Sequence, residues 1–188
     1  ALAKSAQAST DDKLSSDLNR LNLLGEILSE PLQTLHLLNQ PENDSRHRFN
    51  LMATVQQSLD ALQPRLQSTG VRIKLNGGGA ETFAWGSEVL ISRAIRNLIL
   101  DAIEGLSGAI TPEPLTITIQ QHRHGSSLQL PLGAAATSLS QRLRALSTEA
   151  IVADQHGLLE RTTGSSLGSG RVTLSLRSEA DAAVVAAG

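Results

Sequence analysis

The feature that most constrains the fold is a regular leucine pattern in the first forty residues. Six leucines recur with alternating spacings of four and three residues: Leu14, Leu18, Leu21, Leu28, Leu32 and Leu35. Gly25 occupies the one skipped position. This spacing is typical of a coiled-coil seam, an apolar stripe that must pack against another helix. Further leucines widen the stripe, so a four-helix bundle fits it as well as a two-stranded coil. We therefore predict a dimerisation helix over residues 1–40, kinked or interrupted at Pro31.

Composition and charge exclude several functional classes. The chain has no cysteine, so disulfides, thiolate zinc sites and cysteine nucleophiles are excluded. A net charge of −2 argues against a general electrostatic attraction to nucleic acid or to an anionic membrane. Aromatic residues make up 2% of the chain, too few for a platform on which bases stack. No apolar run reaches the roughly 18 residues of a membrane span. We therefore expect a cytoplasmic protein that neither binds nucleic acid nor inserts into a membrane.

The rest of the chain alternates between helix and strand patterns. Residues 41–48 are polar, contain a proline and are predicted to be a linker. Residues 49–178 show the order helix, strand, strand, helix, hairpin, helix, strand. The strongest helix pattern covers residues 87–106, which have a broad apolar face. This order predicts an α+β fold, a two-layer sandwich of a mixed sheet with helices on one face, followed by a tail over 179–188.

Turn residues set the expected ends of two of these elements. The first helix of the sandwich is predicted from Leu51 to Leu66, with Pro64 near its end and Gly70 as its stop. The polar string QQHRHGSS separates two alternating apolar runs and is predicted to connect the strands of the hairpin.

Three strings resemble, in this order, the catalytic region of two-component sensor histidine kinases. RFNLMATVQQSLDALQPRLQSTGVRIKL is similar to the segment that opens the family's domain, and WGSEVLISRAIRNLILDAIEGL to the strand and helix that carry its N box. VADQHGLLERTTGSSLGSGRVTLSL is similar to its closing helix, His-Gly turn and final strand. The resemblance covers most of the chain. It implies a second dimerisation helix before a GHKL-type ATPase-like domain, with a homodimer and a response regulator as partners.

The N box is the part of the resemblance that bears on the cofactor. In the family, two asparagines four residues apart on one helix face point at the nucleotide, and the second coordinates magnesium. Asn97 matches the first asparagine, and Asp101 stands in place of the second. Because aspartate is a hard oxygen ligand, it can still bind magnesium. The resemblance thus implies Asn97 and Asp101 as cofactor-binding residues and Asp101 as a metal ligand. The alternative interpretation is two polar residues on the solvent side of an amphipathic helix.

Other nucleotide-binding parts depart from the family pattern. The family has an Asp-x-Gly-x-Gly turn whose aspartate accepts a hydrogen bond from adenine, whereas this chain has Pro131 or Leu132 at that place. Neither side chain accepts a hydrogen bond. Only Gly133 of the turn remains, and the 22 residues from 134 to 155 contain no glycine, which indicates that the ATP lid is deleted. We therefore expect no cofactor, or Mg–ATP if the site is still functional.

None of the five histidines matches the family's phosphoacceptor, which lies on the first helix of a dimerising hairpin before an acidic residue. His36, near the end of the leucine helix, is predicted to be structural, and His47 lies in the linker. His122 and His124 would share one side of a strand and are predicted to be solvated, and His156 matches the family's His-Gly turn. Because the chain begins at Ala1, we interpret its start as a processed or truncated end. A phosphoacceptor helix upstream of Ala1 would be compatible with this interpretation, but the sequence does not show one.

Three functions are compatible with these features. The first is a dimeric two-component signalling module whose ATP site is degenerate and which transfers phosphoryl groups or docks a response regulator, without ATP-dependent activity in this chain. The second is an active histidine kinase fragment that still binds Mg–ATP. The third is a helix-paired scaffold without phosphotransfer.

Overall fold

The computed structural model describes residues 2–40, 46–77, 82–106, 114–132, 138–162 and 170–178. Gly133, the predicted tail over 179–188 and most of the predicted linker lie outside these residues. Five helices and seven strands occur in the described residues. They are α1 Leu2–Leu38, β1 His47–Asn50, α2 Leu51–Ala61, α3 Gln63–Thr69, β2 Ile73–Gly77, β3 Phe83–Gly86, α4 Glu88–Leu106, β4 Leu115–His122, β5 Gly125–Pro131, α5 Leu139–Asp154, β6 Leu158–Thr162 and β7 Arg171–Arg177.

Five of the strands form one mixed sheet in the order β2-β4-β5-β7-β6. β2 pairs with β4 in parallel, and the other neighbours are antiparallel. The parallel pair is possible because α4 lies between β2 and β4 in the chain and supplies the long crossover connection that parallel strands need. β1 and β3 form a separate two-stranded antiparallel ribbon. The predicted α+β fold with a mixed sheet is confirmed.

The core lies between the sheet and the helices that cover one of its faces. Every second residue of the central strands is buried, as the period of a strand requires: Leu115, Ile117 and Ile119 of β4, Leu128 and Leu130 of β5, and Val172, Leu174 and Leu176 of β7. The broad face of α4 is buried against them through Leu90, Ile91, Ala94, Ile95, Leu98, Ile99, Ala102 and Ile103. This aliphatic core holds α4 against the sheet. It therefore also determines which side chains of α4 point away from the sheet.

The first helix is continuous through Pro31, so the predicted interruption there is wrong. A proline removes one backbone donor, and the remaining turns of a helix of 37 residues hold their own hydrogen bonds. The last turns of α1 pack against α5. Thr34 is buried, and Leu37 and Leu38 lie half-buried against the core. The C-terminal end of α1 is therefore part of the packed domain.

The leucine seam lies mostly outside this packing. Leu18, Leu21, Leu28, Leu32 and Leu35 are each between 44% and 64% exposed. The side chain of Leu14 lies outside the described residues. The described part of the seam is therefore not covered by the other residues that the structure describes.

A proline and a glycine set two helix boundaries, of which the sequence placed one differently. The helix predicted from Leu51 to Leu66 is two helices, because Pro64 lies at the start of α3 rather than near the end of α2. A proline suits the first turn of a helix, where its missing N–H has no acceptor to lose. Gly70, at φ 68°, ends α3 as predicted.

The β4–β5 connection is shorter than the polar string suggested. The strands extend to His122 and Gly125, which pair directly, so only Arg123 and His124 form the turn. Gly125 has a φ of 149°, and a Cβ there would lie 1.9 Å from the carbonyl oxygen of Leu176. Only glycine allows this close approach, which lets the pairing of β5 with β7 include Gly125.

Two further differences concern strands. β1 begins at His47, so its pairing with β3 starts two residues before the predicted sandwich domain. β6 pairs with the final strand β7 as its hairpin partner, although only the final strand was predicted.

Among the described residues, no helix combines the length and the hydropathy needed to cross a bilayer.

Candidate functional site

One face of α4 gathers the polar side chains that the sequence singled out. Asn97, Asp101 and Glu104 follow one another at spacings of four and three residues, which places them side by side on a helix. The opposite side of α4 is held by the core. The polar face is directed toward α5, which packs against α4.

Asn97 is buried, with 1% of its surface exposed. Neither its Oδ1 nor its Nδ2 has a hydrogen-bond partner among the residues that the structure describes. This burial rules out the interpretation of Asn97 as a residue on the solvent side of an amphipathic helix. Leaving a buried amide unpaired costs about 1–3 kcal/mol, so such a group is a natural partner for a bound water or ligand.

Asp101 is paired with an arginine from another helix. Arg144 of α5 donates from Nε to Asp101 Oδ1 at 3.0 Å, and from Nη2 to Glu104 Oε2. The guanidinium is itself buried, since 10% of the Arg144 side chain is exposed. One arginine therefore bridges two carboxylates of α4 and ties α5 to that helix.

Glu104 extends this contact to a third helix. Gln141 Nε2 of α5 donates to Glu104 Oε2 at 3.4 Å, and Arg65 Nη2 of α3 lies 3.5 Å from Glu104 Oε1. We call these five residues, Arg65, Asp101, Glu104, Gln141 and Arg144, the Arg144 cluster. The start of α5 is held by a capping box in which Ser138 Oγ accepts from Gln141 N–H and Gln141 Oε1 accepts from Ser138 N–H. This cap sets the register that brings Arg144 onto α4.

Burial governs the proton affinity of the cluster. It raises the pKa of Asp101 above the usual value of 3.8, and the attraction of Arg144 opposes that rise only in part, while the nearby Glu104 adds to it. For Arg144, burial opposes the charged form, but Glu104 and Asp101 together raise its pKa above the usual value. The guanidinium therefore stays charged and acts as a fixed counter-cation for α4.

The sequence identified part of this arrangement. Asn97 and Asp101 do lie on one face of α4, as their spacing predicts. Glu104 was missed, although its position one turn beyond Asp101 was a usable signal. Arg144 gave no signal, because it lies 43 residues from Asp101 along the chain.

The place where the family pattern requires an aspartate carries no side-chain acceptor. Pro131 is the last residue of β5, and Leu132 is half-buried against the core. The backbone N–H of Leu132 donates to Gly170 O at 2.8 Å. This end of β5 is therefore closed by packing and by a backbone hydrogen bond.

The histidines of the first half of the chain make local contacts. Gln40 Nε2 donates to Nε2 of His36, which is exposed, at 2.7 Å. His47 is the first residue of β1, and its Nε2 lies 3.7 Å from Glu88 Oε2.

The remaining histidines lie at turns. His122 Nε2 lies 2.8 Å from Ser127 Oγ, and His124 belongs to the turn rather than to a strand, so the two do not share one side of a strand. His156 adopts a left-handed φ of 53° after α5. Within the described ranges, no group of three or more histidine, aspartate or glutamate side chains is placed to hold a metal ion.

Solved structures share this architecture. Histidine kinase AdeS from Acinetobacter baumannii matches with a TM-score of 0.65 and 20% identity, over 88% of this chain and 84% of that one. The cytoplasmic segment of histidine kinase QseC matches with a TM-score of 0.55 and 16% identity, over 79% and 89%. The catalytic domain of histidine kinase ThkA matches with a TM-score of 0.57 and 11% identity, over 71% and 97%. No protein-family model and no curated protein matches the chain. The chain has the fold of histidine kinase catalytic domains, which confirms the fold that the resemblance implies.

Proposed function

We propose that the chain is a two-component signalling protein that acts as a dimeric phosphotransfer or response-regulator-docking module in the cytoplasm. In this proposal its ATP site is degenerate, and Arg144 provides the positive charge that a nucleotide-bound magnesium ion would bring. The fold shared with histidine kinase catalytic domains supports the signalling class. The Arg144 cluster supports the loss of the nucleotide.

The contact between Arg144 and Asp101 is the observation that carries the proposal. A magnesium ion bound to Asp101 would have to displace a buried guanidinium from one of its two carboxylates. It would also bring a divalent cation close to a group that stays positively charged, and two cations repel strongly where water is scarce. The cluster therefore satisfies Asp101 within the chain and opposes binding of the metal.

The end of β5 gives independent support. Specific binding of adenine needs an acceptor for its amino group, and a site that leaves this donor unpaired loses affinity. Pro131 and Leu132 offer no side-chain acceptor there. Two separate parts of the predicted nucleotide site thus point in the same direction.

Nucleotide binding is tested by titrating the full chain with a non-hydrolysable ATP analogue and magnesium while the midpoint of thermal unfolding is followed. A ligand present at a thousandfold excess over its Kd stabilises the folded state by about 4 kcal/mol, which is a large shift. We expect no shift beyond that of magnesium alone. A saturable rise in the midpoint would contradict the degenerate site and would favour the alternative, an active kinase fragment.

One observation favours that alternative. The buried amide of Asn97 has no hydrogen-bond partner among the residues described, and a bound phosphate or water would satisfy it. The Asn97→Ala variant separates the two functions. If the nucleotide analogue stabilises the wild type and this variant removes the effect, then Asn97 and Asp101 form a working Mg–ATP site.

The exposed leucine seam supports the homodimer. An apolar stripe of this length on a helix is stabilised when a second helix covers it, and a second copy carries the same stripe. We expect a dimer by light scattering at micromolar concentration. The double variant Leu21→Glu, Leu28→Glu should be monomeric, because it places like charges across the seam. A variant that remained dimeric would show that another surface pairs the subunits.

Phosphotransfer needs its own assay, since no histidine of this chain matches the phosphoacceptor pattern. Incubation with phosphorylated response regulators distinguishes the docking module from the plain scaffold. Binding of a regulator, with or without transfer of its phosphoryl group, supports the proposal. Absence of binding to every regulator of the host organism would leave the helix-paired scaffold as the function.

A further inference from the structure

The strand β2 forms one edge of the five-stranded sheet. Among the described residues it pairs with β4 and with no strand on its other side. Leu115 N–H donates to Arg72 O at 2.8 Å. This hydrogen bond shows which residues of β2 direct their backbone groups toward β4. Backbone groups alternate in direction along a strand, so those of Lys74 point to β4 and those of Ile73 and Leu75 point to the open edge. The edge thus offers the N–H and C=O groups that an added strand needs.

A groove with a volume of about 420 Å³ runs beside this edge, between β2 and the helices α2 and α3. Its apolar lining consists of Leu59, Leu66, Val71, Ile73 and Leu75. Gln56, Gln63 and Gln67 contribute neutral amides, and Arg72 is the one charged residue among the described residues that line the groove. The side chains of Ile73 and Leu75 are half-buried and face this groove, so the free backbone edge and the apolar pocket belong to the same two residues.

We propose that this edge and groove bind an extended peptide in which aliphatic residues alternate with acidic ones. Such a peptide adds a strand to β2, with its aliphatic side chains in the groove. Its other side chains then lie on the opposite face of the sheet, beside exposed Lys74. Among the described residues no carboxylate lines the groove, whose one charged residue is Arg72, and Lys74 lies on the opposite face, so acidic residues complement the edge. The proposal does not depend on nucleotide binding or on phosphotransfer.

The same charges argue against a second copy of this chain as the added strand. Two β2 strands paired with each other in antiparallel orientation would bring Lys74 of one copy close to Lys74 of the other. Like charges directly opposite each other destabilise a strand pair. β2 also carries no acidic residue that could compensate them.

The test uses the full chain and a short synthetic peptide of alternating valine and glutamate with blocked ends and a fluorescein label. A peptide of the same composition, with its glutamates and valines in two blocks, is the control. We expect saturable binding of the alternating peptide by fluorescence anisotropy and none of the block peptide. In hydrogen-exchange NMR, exchange of the Ile73 and Leu75 N–H groups should slow when the alternating peptide binds.

Two variants report on the two features of the edge. Lys74→Glu should weaken the valine–glutamate peptide about tenfold and improve an alternating valine–lysine peptide, because it inverts a cross-strand charge pair. Arg177→Glu makes the same change on the same sheet face but on β7, and should leave binding unchanged. Leu75→Pro removes an outward N–H while the backbone groups of Lys74 keep their bonds to β4, and should abolish binding.

Equal binding of the two peptides, or equal effects of Lys74→Glu and Arg177→Glu, would overturn the proposal. Slow exchange of the Ile73 and Leu75 N–H groups without peptide would also overturn it. If that protection were independent of protein concentration, a segment of this chain would occupy the edge. If it rose with concentration, a second copy would occupy it.

Discussion

Replacement of Arg144 by methionine tests the role assigned to the Arg144 cluster. Methionine keeps a flexible side chain of comparable length but removes the guanidinium. Asp101 and Glu104 then face each other without their shared counter-cation, and Arg65 remains near Glu104 only, at 3.5 Å. Removing one partner of a buried ion pair costs about 3–5 kcal/mol, because the other charge is left buried and unpaired.

The partial exposure of the carboxylates reduces this cost. The Asp101 and Glu104 side chains are 28% and 21% exposed, so water screens part of the unpaired charge. We therefore expect a loss of about 3 kcal/mol in the free energy of unfolding at neutral pH, at the low end of the range for buried pairs. Urea denaturation followed by circular dichroism measures it. Arg142→Met is the matched control, because Arg142 is an exposed arginine of the same helix, and its replacement should change stability by less than about 0.5 kcal/mol.

The loss should also depend on pH. Without Arg144, the attraction that lowers the pKa of Asp101 is gone, so its pKa in the folded state rises further above 3.8. A carboxyl group whose pKa is raised on folding contributes stability that is present at acid pH and is lost as the pH rises through the raised pKa. The deficit of Arg144→Met should therefore be smaller at about pH 4 than at about pH 7. A loss no larger than that of Arg142→Met, or a loss that does not change with pH, would refute a buried, charge-compensating role for Arg144.

The remaining predictions concern local backbone and capping features, each measured as the free energy of unfolding in urea. His156→Gly should stabilise the domain by about 1 kcal/mol, because His156 has a left-handed φ of 53°, and no gain would mean that its side chain makes compensating contacts. Asn50→Ala should destabilise by about 1 kcal/mol, because Asn50 Oδ1 caps α2 by accepting from Ala53 N–H; an unchanged stability would show that water replaces the cap. Gly125→Ala should lower the free energy of unfolding by more than about 2 kcal/mol. Gly25→Ala is its control and should be neutral or stabilising, because Gly25 has open space around it in α1. Equal effects of the two variants would contradict the close approach of Leu176 to Gly125.

Hydrophobic periodicity made the main elements predictable. The apolar residues of α4 recur at helical spacing and those of β4 and β7 at every second position, and both patterns come directly from which side of an element is buried. Local chemistry placed the stop of α3 at Gly70. The resemblance to sensor histidine kinases rested on the order of three strings, and the fold agrees with it. The face of α4 that carries Asn97 and Asp101 was likewise set by spacing alone.

Short strands were beyond the reach of periodicity. β1 and β6 are four and five residues long. Two of the four side chains of β1 and four of the five of β6 are exposed, so these strands show almost no alternation. They are strands because β3 and β7 offer hydrogen-bond partners. The short turn between β4 and β5 could not be predicted for the same reason. Its polar flanking residues belong to the strands because their backbones pair, and side-chain polarity does not show this pairing.

By itself, the sequence determined the leucine seam, the apolar face of α4 and the alternating strands, because each depends on residues close together in the chain. Tertiary structure alone decided what surrounds the polar face of α4. Arg144 reaches Asp101 from 43 residues away, and Asn97 is buried without a hydrogen-bond partner in the described part of the chain. Electrostatic pairing and desolvation depend on the distance between groups in space, and a pattern of residues that are close in sequence does not reveal that distance.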